Sequence, residues 1–342
     1  MDLAIYLAYA PWIPLDEQLR LGQQADRLGF HSAWVAETWG QDATAVLAAL
    51  AATTERIRLG AAIMQIPARQ PTTTASAIST IDQLSGGRAM LGLGLSGPQV
   101  SEGWYGVPFV SPLGRTREYI EIVRMALAHE TVEYQGKYWQ LPVQKAGLGL
   151  GKPLKMIGRP VQDHIPIYLG VIGEKTVHQA GVLADGWLPA FYSPQHAQLL
   201  NQPLLAGITD AGRDRSAVTI APTVPVALAD SRDAARDLLR PILTWYFGAM
   251  GAKDKNFYVE LATRYGFGDV ASACQEAFLA GDRLGAATAL TPEVIDLAAI
   301  AATPETLEDQ LAAYADSGVD TLIALPFGDR PQLLEVLSRY LP

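Results

Sequence analysis

The sequence predicts a (β/α)8 barrel in one domain, class α/β. Three observations point there. Strand-like and helix-like runs alternate along the whole chain. The stretch 56–97 forms a complete strand–loop–helix–strand unit whose second strand is apolar on both faces, as in a parallel sheet covered by helices. No linker divides the 342 residues, 49% of them hydrophobic, which suffice for one large core. An open doubly wound sheet is the competing arrangement.

In order, residues 3–9 read as strand one. Residues 14–28 read as a helix carrying Leu15, Leu19, Leu21, Ala25 and Leu28, closed by Gly29. A second strand (31–36) and a small-residue helix (43–54) follow. Ile57, Leu59, Ala61 and Ile63 then alternate as strand three. Residues 65–71, with two prolines, are expected to be irregular. A helix over 72–84 stops at Ser85-Gly86-Gly87, and 88–95 is strand four. A long amphipathic helix is expected over 114–130, a small hairpin over 131–141 around Gln135-Gly136, and a loop over 143–164. Strand five (165–169) meets a helix at 174–183, strand six (186–191) a helix at 193–206, and strand seven (218–228) a helix at 231–247. Residues 248–287 fit no single element and look like a helical insertion. A helix at 304–317 and strand eight (319–325) end the pattern. Insertions into the barrel are thus expected near 97–113, 131–164 and 248–290.

Composition narrows the function. Net charge −9 argues against a nucleic-acid partner, and the single cysteine, Cys274, excludes an internal disulfide framework. Charged residues make up 18% of the chain without runs of one sign, so disorder is not expected. Residues 3–15 are mostly apolar, yet Asp2 is acidic and no Lys or Arg precedes Arg20, so a soluble cytoplasmic protein is expected rather than a secreted or membrane one. The five histidines show no metal spacing and supply no obvious triad. With no strong nucleophile or metal signal, the hard chemistry falls to a cofactor acting on a small-molecule substrate.

Candidate site residues cluster at predicted strand ends. Gly92-Leu93-Gly94-Leu95-Ser96-Gly97 matches a dinucleotide-binding glycine pattern, but Pro98 follows and no first strand–helix unit is involved. In a barrel these glycines would let backbone turn closely around a ligand above strand four. Gly170-Val171-Ile172-Gly173-Glu174-Lys175 lacks the P-loop order, yet a glycine turn opening a helix can bind phosphate through backbone N–H groups; a plain strand–helix turn is the bland alternative. Glu37 and Thr38, after strand two, would bring a carboxylate to the barrel mouth for proton handling, unless Glu37 only bonds a neighbouring loop. Tyr9, Trp12, Trp39, Trp104, Tyr105 and Phe191 fall past strand ends and suit a planar ligand, or simply rim packing. Between Glu133 and Asp163 the only charges are Lys137, Lys145, Lys152, Lys155 and Arg159, either a solvated loop or a cationic patch for an anion.

Several strings together resemble the bacterial luciferase-like, flavin- or deazaflavin-dependent oxidoreductases. They are Phe30-His31-Ser32-Ala33-Trp34-Val35-Ala36-Glu37, Thr54-Glu55-Arg56-Ile57-Arg58-Leu59-Gly60, Leu84-Ser85-Gly86-Gly87-Arg88 with Leu91-Gly92-Leu93-Gly94, and Ala184-Asp185-Gly186-Trp187. Ile63-Met64-Gln65-Ile66-Pro67-Ala68-Arg69 and Ser96-Gly97-Pro98-Gln99-Val100-Ser101-Glu102-Gly103-Trp104 look like the branch that uses coenzyme F420, similar to methylenetetrahydromethanopterin reductase. The resemblance implies a barrel, a homodimer, and a deazaflavin ring in the mouth near Tyr9, Glu37, Gly94 and Ser96. It further implies a cis Ala62-Ile63 peptide behind the ring, with small Ala61 and Ala62 allowing close approach. The cofactor phosphate would rest on Gly170, Val171, Ile172 and Gly173 and the helix start at Lys175, its anionic tail reaching toward Lys152, Lys155 and Arg159. Family members that oxidise sugar phosphates carry Asp-His where this chain has Glu37-Thr38. Reduction of a polarised C=C, C=N or C=O is therefore expected, with Glu37 or a bound water giving the proton. An FMN-dependent monooxygenase with a reductase partner is the alternative.

Overall fold

A computed structural model describes residues 1–144, 147–251 and 255–342. Eight short parallel strands form the frame: β1 (Asp2–Tyr6), β2 (Ser32–Val35), β3 (Arg58–Ala61), β4 (Ala89–Gly94), β5 (Ile167–Leu169), β6 (Gly186–Trp187), β7 (Thr223–Leu228) and β8 (Thr321–Phe327). Pairing runs β6-β5-β4-β3-β2-β1-β8-β7. The bent stretch 219–228 closes the ring. Thr219–Ile220 lie on β6, and after the bend at Ala221-Pro222, Thr223–Ala227 pair with Ile323–Phe327. Strand seven, expected as one run over 218–228, is therefore two pieces serving different neighbours. Pro222 explains the break: without an N–H it cannot continue a central ladder, although its carbonyl still accepts from Ile323 N at 2.9 Å.

The interior is filled by large residues set against small ones. Trp34 on β2 lies over Gly60 of β3, where a Cβ would sit 2.3 Å from the indole ring. Tyr168 on β5 covers Gly186 of β6 in the same way, at 2.1 Å, and the Trp34 and Tyr168 rings meet edge to face at 5.0 Å. These closely packed pairs fill the barrel and confine any ligand to its rim.

Helices cover the outside much as the periodicity indicates. Leu15–Leu28 ends at left-handed Gly29, and Pro71–Ser85 at left-handed Gly86. The segment expected to be irregular after β3 holds a short strand, Met64–Gln65, and one 3-10 turn, Ile66–Ala68. The hairpin of the second insertion is present as Tyr134–Gln135 on Gln140–Leu141, its turn held by buried Glu118, which accepts from the backbone N of Lys137, Tyr138 and Trp139. The following loop is less irregular than expected, since Leu154–Lys155 pairs antiparallel with Thr131–Val132. The third insertion is helical: Phe257–Arg264, Gly268–Leu279, Arg283–Ala289 and Pro292–Ala298. Among the described residues, the elements that escaped the sequence reading include the short helix Pro98–Gly103, the strand Ile300–Ala302 on the end of β7 and the helix Arg330–Leu337. Among the described residues no helix is long and apolar enough to cross a membrane.

Candidate active site

The C-terminal ends of the strands carry unusual backbone. The Ala62-Ile63 peptide after β3 is cis. Of five non-glycine residues with positive φ among the described residues, three follow barrel strands: Ala8 after β1, Ser96 after β4 and Phe191 after β6. Non-glycine residues held there cluster at functional sites.

The bulge at 61–63 is accommodated by glycines on the next two strands. A Cβ on Gly92 would lie 1.9 Å from the Ala61 carbonyl oxygen. The Ile63 side chain occupies the space a Cβ would need on Gly94 (2.8 Å) and on Gly170 (2.7 Å). Gly92 and Gly94 thus make room for the chain's own bulge, and Ala61 is fully buried behind it. Ile63 plugs the gap between β4 and β5, and Tyr6 donates its hydroxyl to the Ala62 carbonyl at 3.2 Å.

A cavity of about 180 Å³ opens over this bulge. Ala62 and Ile63 form one wall, and Gly170, Val171 and Ile172 after β5 another. Tyr6, Phe191, Tyr246 and Tyr258 complete an aromatic cage, with Phe191 at 5.4 Å from the Tyr246 ring and 5.1 Å from that of Tyr258. Burial pushes all three tyrosine hydroxyls well above their usual ionisation range, so they stay protonated donors. Beside the cavity, the helix Glu174–Leu183 starts at Gly173 with no side-chain cap, and Trp187 Nε1 donates to Val171 O at 2.9 Å to hold the turn. Lys175 is exposed in the first turn.

Five expected site residues, Ala62, Ile63, Gly170, Val171 and Ile172, therefore share one cavity. Glu37 does not line it. Its side chain is 3% exposed, accepts from Gln65 N at 3.1 Å and pairs with Arg69, which also bridges to Asp42 at 3.0 Å. Thr38 sits in a turn closed on Gln41, and Tyr9 is not on the cavity wall. Trp39 and Trp104 are exposed, at 43% and 62%.

The cationic segment lies elsewhere. Val161 N and Gln162 N donate to Asp82 near the end of the helix Pro71–Ser85, and Gln162 Nε2 reaches the carbonyl of Ala89, the first residue of β4. Lys155 and Arg159 surround His129 at the end of the helix Pro112–Leu127. This is the N-terminal end of the barrel, opposite the mouth, so the expected reach of an anionic tail to Lys155 and Arg159 does not hold; Lys145 lies outside the described residues. Sequence reasoning missed Tyr6, Tyr246 and Tyr258. The available signals were the inward parity of Tyr6 on β1 and the aromatic runs Trp245-Tyr246-Phe247 and Phe257-Tyr258. Among the described residues no cluster of His, Cys, Asp or Glu could hold a metal.

Comparison with known proteins identifies the family. The chain is 40% identical over 99% of its length, and 98% of the relative's, to a Mycobacterium tuberculosis protein provisionally named a coenzyme F420-dependent oxidoreductase. It is 29% identical over 92% of its length, and 91% of the relative's, to 5,10-methylenetetrahydromethanopterin reductase of Archaeoglobus fulgidus. Its fold superposes with a TM-score of 0.85, at 24% identity and over 100% and 99% of the two chains, on the coenzyme F420-dependent tetrahydromethanopterin reductase of Methanopyrus kandleri. The family model described as luciferase-like monooxygenase matches residues 3–321, and the chain belongs to that family.

Proposed function

We propose that the protein is a coenzyme F420-dependent oxidoreductase that reduces a polarised C=C, C=N or C=O bond. The carrying observation is the single cavity bounded by the Ala62–Ile63 bulge, the 170–173 turn and an aromatic cage. These residues fit the cofactor. The bulge offers flat backbone and small Ala62 for a ring to lie on. The uncapped start of the helix at Gly173 presents N–H groups that suit the phosphate. The bound deazaflavin supplies two electrons as hydride. The protein orients, excludes water and manages the proton. Tyr6 fixes the carbonyl of the bulge. Phe191 and the cage tyrosines keep the reacting face dry, which strengthens every polar contact there.

In this reading Glu37 is a positioning residue. Its carboxylate is spent on Arg69 and the backbone of Gln65, which tie the ends of β2 and β3 together. The mostly uncharged cage favours a neutral, partly apolar substrate. The 97–113 and 248–290 insertions would shape its entry, and a homodimer belongs to the same reading. The test is oxidation of reduced F420 by enone, imine and ketone probes without oxygen, beside oxygen consumption with reduced FMN. Turnover of the first kind supports the reading. Oxygen-dependent turnover with FMN alone replaces it with a monooxygenase that needs a reductase partner.

A further inference from the structure

A second cavity, of about 230 Å³, lies between the segment after the bulge and the first insertion, and the proposed reaction does not use it. It shares no lining residue with the cavity over the bulge. Leu95 and Phe109 give it apolar walls, and Tyr138 and Trp139 of the hairpin an aromatic side. Arg69 and Arg115 line it as well.

Hydrogen bonds within the insertion hold this wall in place. Buried Ser101 donates its Oγ to Val107 O at 2.7 Å, and Val107 N donates back to Ser101 O at 2.9 Å. Glu102 accepts from Phe109 N at 2.9 Å. Arg115, in the first turn of the helix Pro112–Leu127, donates Nε to Val110 O at 3.1 Å. Its guanidinium lies over the Tyr138 ring at 5.1 Å and the Trp139 ring at 5.9 Å. Trp139 is fixed in turn by Tyr119, edge to face at 5.6 Å.

The donors around this space are not all used. Glu37 and Asp42 both bind Nη2 of Arg69, whereas its Nε is buried and meets no acceptor among the described residues. Arg69 is thus balanced in charge, and the surplus cation is Arg115, which no carboxylate pairs among the described residues. Stacking takes a face of a guanidinium and leaves the N–H groups in its plane for an acceptor, which a carboxylate matches as a fork. Two guanidinium groups with unfilled donors beside apolar and aromatic walls suit a ligand with negative charge and an apolar body. The volume of 230 Å³ falls below the usual ligand-pocket range of about 300–1,000 Å³, so the ligand is small.

We propose that this cavity binds the carboxylate of a small aromatic or short-chain acid, a second ligand distinct from the cofactor. Arg115 pairs with the carboxylate, Arg69 Nε gives a further donor, and the ring or chain packs on Leu95, Phe109 and Trp139. Through Arg69 the bound acid is joined to Glu37 and so to the strand ends that carry the bulge.

The test has two arms. In the first, benzoate, hexanoate and neutral benzamide are titrated calorimetrically at low salt into the full-length protein without cofactor. At least one acid should bind, and benzamide should bind at least about 10-fold more weakly, the scale of one hydrogen bond to a charged group. Arg115→Met removes the charge and should weaken acid binding by about the same 10-fold or more. Arg115→Lys keeps the charge without the planar fork and should fall between. The Trp139 indole N–H signal, identified by its loss in Trp139→Phe, should move as the acid binds. Binding of neither acid, equal binding by folded Arg115→Met, or an unmoved Trp139 signal overturns the proposal. In the second arm the acid is titrated into protein saturated with F420. Unchanged affinity supports a separate ligand, and mutual exclusion overturns it. The first arm uses no cofactor, so it stands or falls apart from the reductase reading.

Discussion

Gly92→Ala should be among the most damaging single-methyl additions in the protein. The added Cβ would stand 1.9 Å from the Ala61 carbonyl oxygen, whereas an ordinary C···O contact is about 3.3 Å. Relief requires β3 and β4 to separate locally by about 1.4 Å, the difference between those distances. The obstacle is backbone, so no rotamer change helps. Overpacking of a tight core costs about 1–3 kcal/mol, and a clash with backbone belongs at or above the top of that range. Gly173→Ala is the matched control. Its φ of −71° suits any residue, and its Cβ would come no nearer than 3.5 Å to Thr176 Oγ1. In thermal and urea unfolding, Gly92→Ala should lose at least about 3 kcal/mol, and Gly173→Ala should stay within about 0.5 kcal/mol of wild type. F420 affinity should fall with Gly92→Ala as the bulge shifts. Equal stability of the two variants would refute the assignment of the glycine string to the bulge.

Other outcomes follow from the same geometry. Arg69→Met should cost about 3–5 kcal/mol in denaturant unfolding, because it leaves the buried Glu37 carboxylate without its cation. Glu37→Gln should keep most of the turnover seen with any probe substrate; loss of all turnover with intact F420 binding would restore Glu37 as the acid. Asp42 is buried in part, but hydrogen bonds from Thr44, Arg69 and Ala45 bring its carboxyl down to about 2. A depressed folded-state value stabilises above the unfolded range near 4 and is lost as pH falls toward 2, so Asp42→Asn should flatten the acid limb of the stability curve. The carboxylate is half exposed, which limits that contribution to about 1 kcal/mol. Asp82→Ala should loosen the 156–165 segment, read as faster amide exchange at Val161 and Gln162, and leave cofactor binding intact, because that segment lies at the far end of the barrel.

The fold was legible because its signals are local. Helix spacing, Gly29 and Gly86 at helix ends, and apolar runs such as 88–95 each act within a few residues. What escaped depends on distant partners. The strand Ile300–Ala302 is three residues of small apolar sequence that become a strand only on the edge of Val226–Leu228. The bend at Ala221-Pro222 shows its meaning only once β6 and β8 are in place. At the site, the glycine turns and the cis Ala62-Ile63 position were readable from a family resemblance, but the purpose of Gly92 and Gly94 was not. Glu37 looked open to the mouth because Arg69, which occupies it, is 32 residues away. The tyrosine cage assembles from β1, the helix Arg232–Ala249 and the insertion helix Phe257–Arg264, which no spacing rule joins.

The central claim is that the cavity between the bulge and the 170–173 turn holds a deazaflavin. The most direct measurement is a parallel fluorescence titration of the purified protein with coenzyme F420 and with FMN, repeated with Gly92→Ala. The account predicts micromolar or tighter binding of F420, weaker binding of FMN, and loss of F420 affinity in the variant. Tighter binding of FMN, binding of neither, or F420 binding indifferent to Gly92→Ala would contradict it.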